Sequence, residues 1–207
     1  MRHGGRPQLI DQDQIVQAAL AVGLDHFSIN AVARHLGVSG AAIYRYVDTR
    51  EALLALCLDA FVQRLEVPPR QEWRPYLAAL AAAFRRALLA TPGAAQHGFK
   101  LGPSSPKGAA LLEEAIACLM GQGFPPKLAW QAVSAVIDHA VAWVQKEELA
   151  GEPDSARHKL AAMVSPERHP HLSEALATVL PPDLDQAFEA RTTFLLRGVE
   201  ATLKEPL

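Results

Sequence analysis

The sequence predicts an all-α protein made of a small N-terminal three-helix unit and a larger helical body. Three observations lead there. Apolar residues recur at helical spacing with no credible strand alternation, Gly and Pro clusters punctuate the periodic stretches, and Val67-Pro-Pro-Arg-Gln71 breaks the helical pattern as a domain boundary. A chain of 207 residues, half apolar and one-fifth charged, buries a sizeable core and is packed rather than disordered.

Ile15, Ala18, Ala19 and Val22 form the apolar stripe of a first helix, stopped by Gly23. Ile29, Val32, Ala33 and Leu36 repeat the spacing, with Ser28 placed to cap the start and Gly37 just past the end. A third segment runs from about Ser39 to Tyr46. A long helix is expected from Asp48, where Glu51 three residues on makes a capping-box-like start and Leu54, Cys57, Leu58, Phe61 and Leu65 supply the buried face. Beyond the Pro-Pro break the periodicity predicts helices near 73–90, 107–122, 126–149 and 184–203, with shorter pieces at 92–98, 154–163 and 172–179. Residues 98–106 and the stretches around Ser165-Pro166 and Pro181-Pro182 read as connectors.

The segment Phe27-Ser-Ile-Asn-Ala-Val-Ala-Arg-His-Leu-Gly-Val-Ser-Gly-Ala-Ala-Ile-Tyr-Arg-Tyr46 has the requirements of a helix-turn-helix. Two short helices must cross closely, which small Ala33 allows. Gly37 suits a left-handed turn residue, Val38 and Ile43 fill the angle, and Ser39 caps the second helix. The following run, Ile43-Tyr-Arg-Tyr-Val-Asp-Thr-Arg-Glu-Ala-Leu53, resembles the join between recognition helix and linker helix in the tetracycline-repressor family. That join carries an aromatic, a second aromatic or His two positions on, and a basic residue four positions later. The resemblance is strong over roughly 11–65. It extends into the body through helix order and the pattern from His169-Pro-His-Leu172 to Phe188 and Leu195.

The resemblance implies a helix-turn-helix DNA-binding domain over 1–47, a linker helix over 48–66, and a helical effector-binding and dimerisation domain over 67–207. The partners it implies are a double-stranded DNA operator, a small-molecule effector and a second copy of the chain. Physical chemistry and the family position together assign the DNA-binding roles. Ser28 and the amides around it sit at a positive helix end suited to a phosphate. Tyr44, Tyr46 and Arg50 offer phenolic and cationic contacts to the backbone, which set register. Base reading falls to Ser39, Gly40, Ala41 and Arg45, with Asn30 as an addition. Residues 1–66 hold six Arg and no Lys against seven acidic residues, so the basic surface is local: Arg34, Arg45 and Arg50 against Asp48, helped by an arm of Arg2, His3 and Arg6. Binding is therefore expected from a dimer on a near-palindromic site.

For the body, the resemblance implies pairing through helices 126–149 and 184–203 and a pocket for a small, mostly apolar effector whose binding releases the repressor from DNA. Candidate lining residues are Tyr76, Phe84, His97, Phe99, Met120, Trp130, Asp138, His139 and Trp143, and Gln131, Ser134 and Asp138 share one helix face. Cys57 and Cys118 lie inside apolar patterns and read as core residues.

No cofactor, metal site or catalytic residue is predicted. The sequence contains no His-Glu-x-x-His, Cys-x-x-Cys, Gly-x-Ser-x-Gly or Gly-rich phosphate loop, and His169-Pro-His171 reads as a loop. A helical partner-binding adaptor or small-molecule-binding protein that keeps the fold without sequence-specific DNA binding is the competing reading, favoured by the small Gly40-Ala41-Ala42 and the acidic Asp48. The N-terminal residues carry no apolar leader, and Leu128 to Val144 is too short and polar to span a bilayer, so the expected location is the cytoplasm.

Overall fold

A computed structural model describes residues 10–25, 27–101, 106–150, 156–179 and 183–204, and among them every regular element is an α-helix. In chain order these are α1 (Gln12–Val22), α2 (Ile29–Leu36), α3 (Gly40–Ile43), α4 (Arg50–Arg64), α5 (Trp73–Leu89), α6 (Ala94–Leu101), α7 (Pro106–Met120), α8 (Pro126–Ala150), α9 (Ala156–Met163), α10 (Pro170–Val179) and α11 (Leu184–Lys204). They fall into two compact units: Met1–Glu66 with Ala87–Leu112, and Val67–Arg86 with Glu113–Leu207. The cut differs from a single boundary at residue 67, because α6 packs on α4 and joins the N-terminal helices.

In the first unit α1 packs on α2 and α4, and α2 packs on α3. Ile15, Ala19, Leu24, Val32, Ile43, Leu53 and Cys57 are wholly removed from solvent and form its core. Complete burial of such side chains contributes roughly 1.5–3 kcal/mol each for the larger aliphatic ones. Burial also pushes the Cys57 thiol up to about 12, so it is an inert apolar residue at neutral pH. In the second unit α8 packs along α11, and Tyr76, Leu77, Leu80, Leu119, Val133, Val136, Ala140 and Val144 are fully buried.

Three local expectations are corrected. The start of α4 is capped by Thr49, whose Oγ1 accepts from the Ala52 amide at 3.0 Å. With Thr49 as the cap, Glu51 stands too early in the first turn to reach back, so no capping box forms from Asp48. The capping box of this unit lies at α1 instead, where the Asp11 carboxylate accepts from Gln14 N (2.7 Å) and the Asp11 amide donates to Gln14 Oε1 (3.1 Å). The third helix is also shorter than its segment: α3 ends at Ile43, and Tyr44 to Tyr46 form a turn. Finally, α6 continues to Leu101, so residues 98–101 are helix rather than connector. The Pro181-Pro182 connector and the Arg2, His3 and Arg6 arm lie outside the described residues.

Candidate DNA interface and effector-domain residues

The helix-turn-helix is held by its caps. Ser28 Oγ accepts from Ala31 N at 3.1 Å at the start of α2, and Ser39 Oγ accepts from Ala42 N at 3.3 Å at the start of α3. Each hydroxyl keeps its own proton for an outside acceptor. Gly37 ends α2 in the left-handed region (φ 68°), where a side chain would be strained, and Val38 N donates back to Ala33 O at 3.0 Å to close the turn. Val32, Ala33 and Ile43 are buried at the angle, while Leu36 and Val38 are only half-buried.

The remaining polar residues of the motif face outward. Ser28, Asn30, Ser39, Ala41, Tyr44 and Arg45 are exposed, and Gly40 and Tyr46 are half-buried. Tyr44 keeps 52% of its surface open, unusual for an aromatic residue with an apolar ring. Arg45 makes no ion pair or hydrogen bond among the described residues. Gly40 lies close to Asn30: a Cβ there would stand 3.2 Å from Asn30 Oδ1, so a larger residue at 40 displaces the Asn30 side chain.

Arg50 is more committed than its sequence position suggests. Its Nε donates to the Phe27 carbonyl at 3.3 Å, and its guanidinium lies 4.9 Å from the centroid of the Phe27 ring. The start of α4 is thus tied to the residue just before α2. Glu51 is a more distant ion-pair partner at 3.8 Å. In the sequence Phe27 is only the first residue of the helix-turn-helix segment. Its carbonyl role depends on a contact across 23 residues that no local pattern encodes. Gln12 is likewise a tie, its Nε2 donating to Tyr46 O at 3.4 Å.

The nine candidate effector residues stand in different settings. Tyr76, Phe84 and Trp143 are in the core, Met120, Trp130 and Asp138 are exposed, and His139 is half-buried. His97 belongs to the other compact unit, with Nε2 3.2 Å from Leu24 O. The side chain of Phe99 lies outside the described residues.

The structure brings together His139, Trp143 and Phe188. The His139 ring stacks on Phe188 with centroids 4.8 Å apart, and Trp143 is 5.9 Å from Phe188. Around them, Arg85 lies 5.0 Å from the Phe188 ring centroid and bonds Glu147 Oε1 at 2.6 Å and Asp185 Oδ1 at 2.7 Å. Trp143 Nε1 also donates to Glu147 Oε1 at 2.6 Å. Burial holds the His139 imidazole below the usual histidine range, with Arg191 and Lys146 adding to the effect and the Phe188 backbone opposing it. His139 Nε2 is buried with no hydrogen-bond partner among the described residues, and so, on the first turn of α5, is Tyr76 Oη.

A capped helix-turn-helix with an exposed polar face, carried ahead of a long-helix body, defines a DNA-binding regulator. The comparisons agree. The family described as "Bacterial regulatory proteins, tetR family" matches residues 15–57, and "Tetracyclin repressor-like, C-terminal domain" matches 67–203. An HTH-type transcriptional regulator of Saccharopolyspora erythraea is 28% identical over 203 residues, covering 94% of this chain and 86% of the relative. The class C tetracycline repressor protein of Escherichia coli is 27% identical, covering 92% and 91%. Among solved structures, apo ActR from Streptomyces coelicolor superposes with a TM-score of 0.81 at 24% identity, covering 95% of this chain and 100% of that one. TetR from Acinetobacter baumannii AYE superposes at 0.69 with 26% identity, covering 93% and 98%.

The chain belongs to the tetracycline-repressor family of bacterial regulatory proteins and is a DNA-binding transcriptional regulator. The family binds operator DNA and small-molecule effectors and dimerises. Among the described residues no helix is long and apolar enough to cross a membrane.

Proposed function

We propose that the chain acts as a homodimer which grips DNA phosphates with Ser28, Tyr44, Tyr46 and Arg50 and reads bases with Ser39, Gly40, Ala41, Arg45 and Asn30. In this reading residues 1–47 are the DNA-binding domain, 48–66 the linker helix and 67–207 the effector and dimerisation domain. The single observation carrying it is the exposed ridge of Tyr44 and Arg45 directly after the Ser39-capped α3. Burial energetics give no reason to leave a tyrosine ring open there, whereas a phosphate contact does. Arg50 serves first to fasten α4 to Phe27 and only through its outer amino groups to reach a phosphate.

Base reading is sparse. Gly40 and Ala41 permit close approach and an apolar contact to a thymine methyl, and Arg45 is the one long donor, suited to guanine O6 and N7. Two half-sites related by the dimer axis then supply what one lacks, so the operator is near-palindromic. Dimerisation is assigned to the outward faces of α8 and α11, where Trp130 and Phe194 are exposed.

Relatives named as tetracycline repressors support a small-molecule effector in the body. Its polar anchors are proposed to be Tyr76 and His139, in a largely apolar setting with Phe84. The chain is a regulator working in the cytoplasm and not an enzyme.

The test is a selection of operator duplexes from random oligonucleotides with the full-length protein at fixed salt, followed by titration of Tyr44→Ala and Arg45→Ala variants. An inverted-repeat product, with both variants folded and weakened, is the expected result. No enrichment at any salt would leave the partner-binding adaptor as the better reading.

A further inference from the structure

The loop between α1 and α2 is gripped by a segment that follows it by some seventy residues. Leu24 N donates to Pro92 O at 2.9 Å, and Leu24 O lies 3.2 Å from His97 Nε2, so this ring nitrogen carries the proton and donates. Both backbone hydrogen bonds of fully buried Leu24 therefore go to residues 92–97. Gly93 closes the contact. Its φ is +79°, and a Cβ there would stand 2.2 Å from Asp25 N, 2.7 Å from Leu24 C and 2.9 Å from Asp25 Cα. Those are backbone atoms, which cannot swing aside as the tip of a side chain would. Position 93 thus excludes any side chain on two separate grounds, conformation and space.

The same loop is held at its other end by Arg50 on the Phe27 carbonyl and ring, one residue before the Ser28 cap. Between these two ties runs the chain that sets where α2 begins, and α3 hangs on α2 through Gly37 and Val38. The gripping segment also has a particular place in the chain. α5 starts in the second compact unit (Trp73–Arg86), ends in the first (Ala87–Leu89), and leads directly into the Thr91–Gly93 turn.

We propose that the Thr91–Gly93 turn, with His97, is a positioning clasp that fixes the α1–α2 loop and hence the N-terminus of α2 in its DNA-binding arrangement. Opening it is the means by which a change in α5 loosens the grip on DNA. This rests on the DNA-binding reading above, and it gives His97 a positioning role in place of the effector contact expected of it. A clasp built from backbone hydrogen bonds and a close approach at one glycine is either closed or open, which is the discrete behaviour a switch requires.

The test uses the full-length dimer, a duplex obtained by the selection described above, and three variants: Gly93→Ala, His97→Ala and His97→Gln. Operator affinity is read by fluorescence anisotropy, and hydrogen exchange is read by mass spectrometry without DNA. Gly93→Ala and His97→Ala are expected to keep native helicity, to lose roughly tenfold or more in affinity, and to exchange faster at residues 24–36 while the amides of α8 and α11 are unchanged. His97→Gln, which keeps an N–H donor at similar reach, is expected to restore both readouts.

Native affinity and native exchange in Gly93→Ala and His97→Ala overturn the proposal, and so does faster exchange spread evenly over the whole chain, which marks general destabilisation. Should Gly93→Ala fail to fold, the His97→Ala and His97→Gln pair decides by the same criteria. If the unmodified protein binds no duplex, the DNA-binding reading is what fails, and the exchange at 24–36 still tells whether the clasp holds the loop.

Discussion

Replacing Tyr76 by Phe is expected to make the free protein more stable. Tyr76 is 0% exposed, and its hydroxyl has no hydrogen-bond partner among the described residues. A buried donor left unsatisfied costs about 1–3 kcal/mol relative to water. The substitution removes that cost and leaves a gap of one oxygen atom, whose lost dispersion contacts amount to about 0.5 kcal/mol. The net gain is therefore roughly 0.5–2.5 kcal/mol, an increase of about 2–4 °C in melting temperature per kcal/mol for a chain of this size.

The assay is urea and thermal unfolding by circular dichroism at one fixed protein concentration, because dimerisation makes the midpoint concentration-dependent. A second arm uses pH. Burial pushes the Tyr76 phenol from its ordinary value near 10 up to about 12. The folded state thus keeps a proton that the unfolded chain gives up. The contribution is whole below pH 10 and is lost as pH rises through 12, and Tyr76→Phe removes that part of the alkaline decline. A loss of more than about 1 kcal/mol in the variant would refute the reasoning, since it requires that the hydroxyl be paired in the free protein. As the same hydroxyl is a proposed effector anchor, the more stable variant is also expected to respond less to effector.

Four further outcomes are expected. In the Arg85 network, where side-chain exposure is 15% for Arg85 and 7% for Glu147, Glu147→Gln leaves the largely buried guanidinium with only the exposed Asp185 as a charged partner and should cost about 1.5–3 kcal/mol in chemical denaturation. The double change Arg85→Met with Glu147→Gln should recover most of that loss. Phe194 on α11 is 79% exposed, and burying two such rings across a symmetric interface is worth roughly 3–6 kcal/mol. Phe194→Asp should then raise the dimer dissociation constant by about two to four decades in analytical ultracentrifugation, and an unchanged constant would remove α11 from the interface. Because burial lowers the folded-state pKa of His139, its contribution is intact above pH 6.5 and declines as acid protonates the unfolded chain first. His139→Phe, which keeps a ring on Phe188, should flatten that acid limb of the stability profile. Arg45→Ala is expected to change the selected operator at one position per half-site if Arg45 reads guanine. If it holds a phosphate, the preference stays and the salt slope falls by about two per dimer.

The parts of this molecule that were legible in sequence are those whose physics is local. Ser28, Gly37 and Ser39 act within three or four residues of themselves, so cap, turn and second cap could be placed from residue type and spacing alone. The apolar stripe of α4 was equally plain, and Leu54, Cys57, Leu58, Phe61 and Leu65 are all buried. The errors were local competitions between neighbours. Asp48 and Thr49 both cap helices, and Thr49 prevailed because its hydroxyl reaches the Ala52 amide while Asp48 stands one residue too early.

Nonlocal pairing explains what could not be read. Phe27 takes Arg50 through a backbone carbonyl, a group every residue possesses, so its selection leaves no mark in the side-chain pattern. Leu24 is the extreme case: its role rests on an N–H and a C=O that meet residues 92 and 97, and the only trace is a Pro-Gly that reads as any turn would. The body shows the same limit in side chains. His139 and Trp143 stand four residues apart on α8, yet their meaning depends on Phe188 from α11 and Arg85 from α5, which complete the stack and occupy its charged edge. Aromatic spacing on one helix therefore named the residues of the cluster but not what surrounds them. That surrounding makes the cluster an ion-paired joint between α5, α8 and α11, and within it His139 Nε2 keeps no hydrogen-bond partner among the described residues.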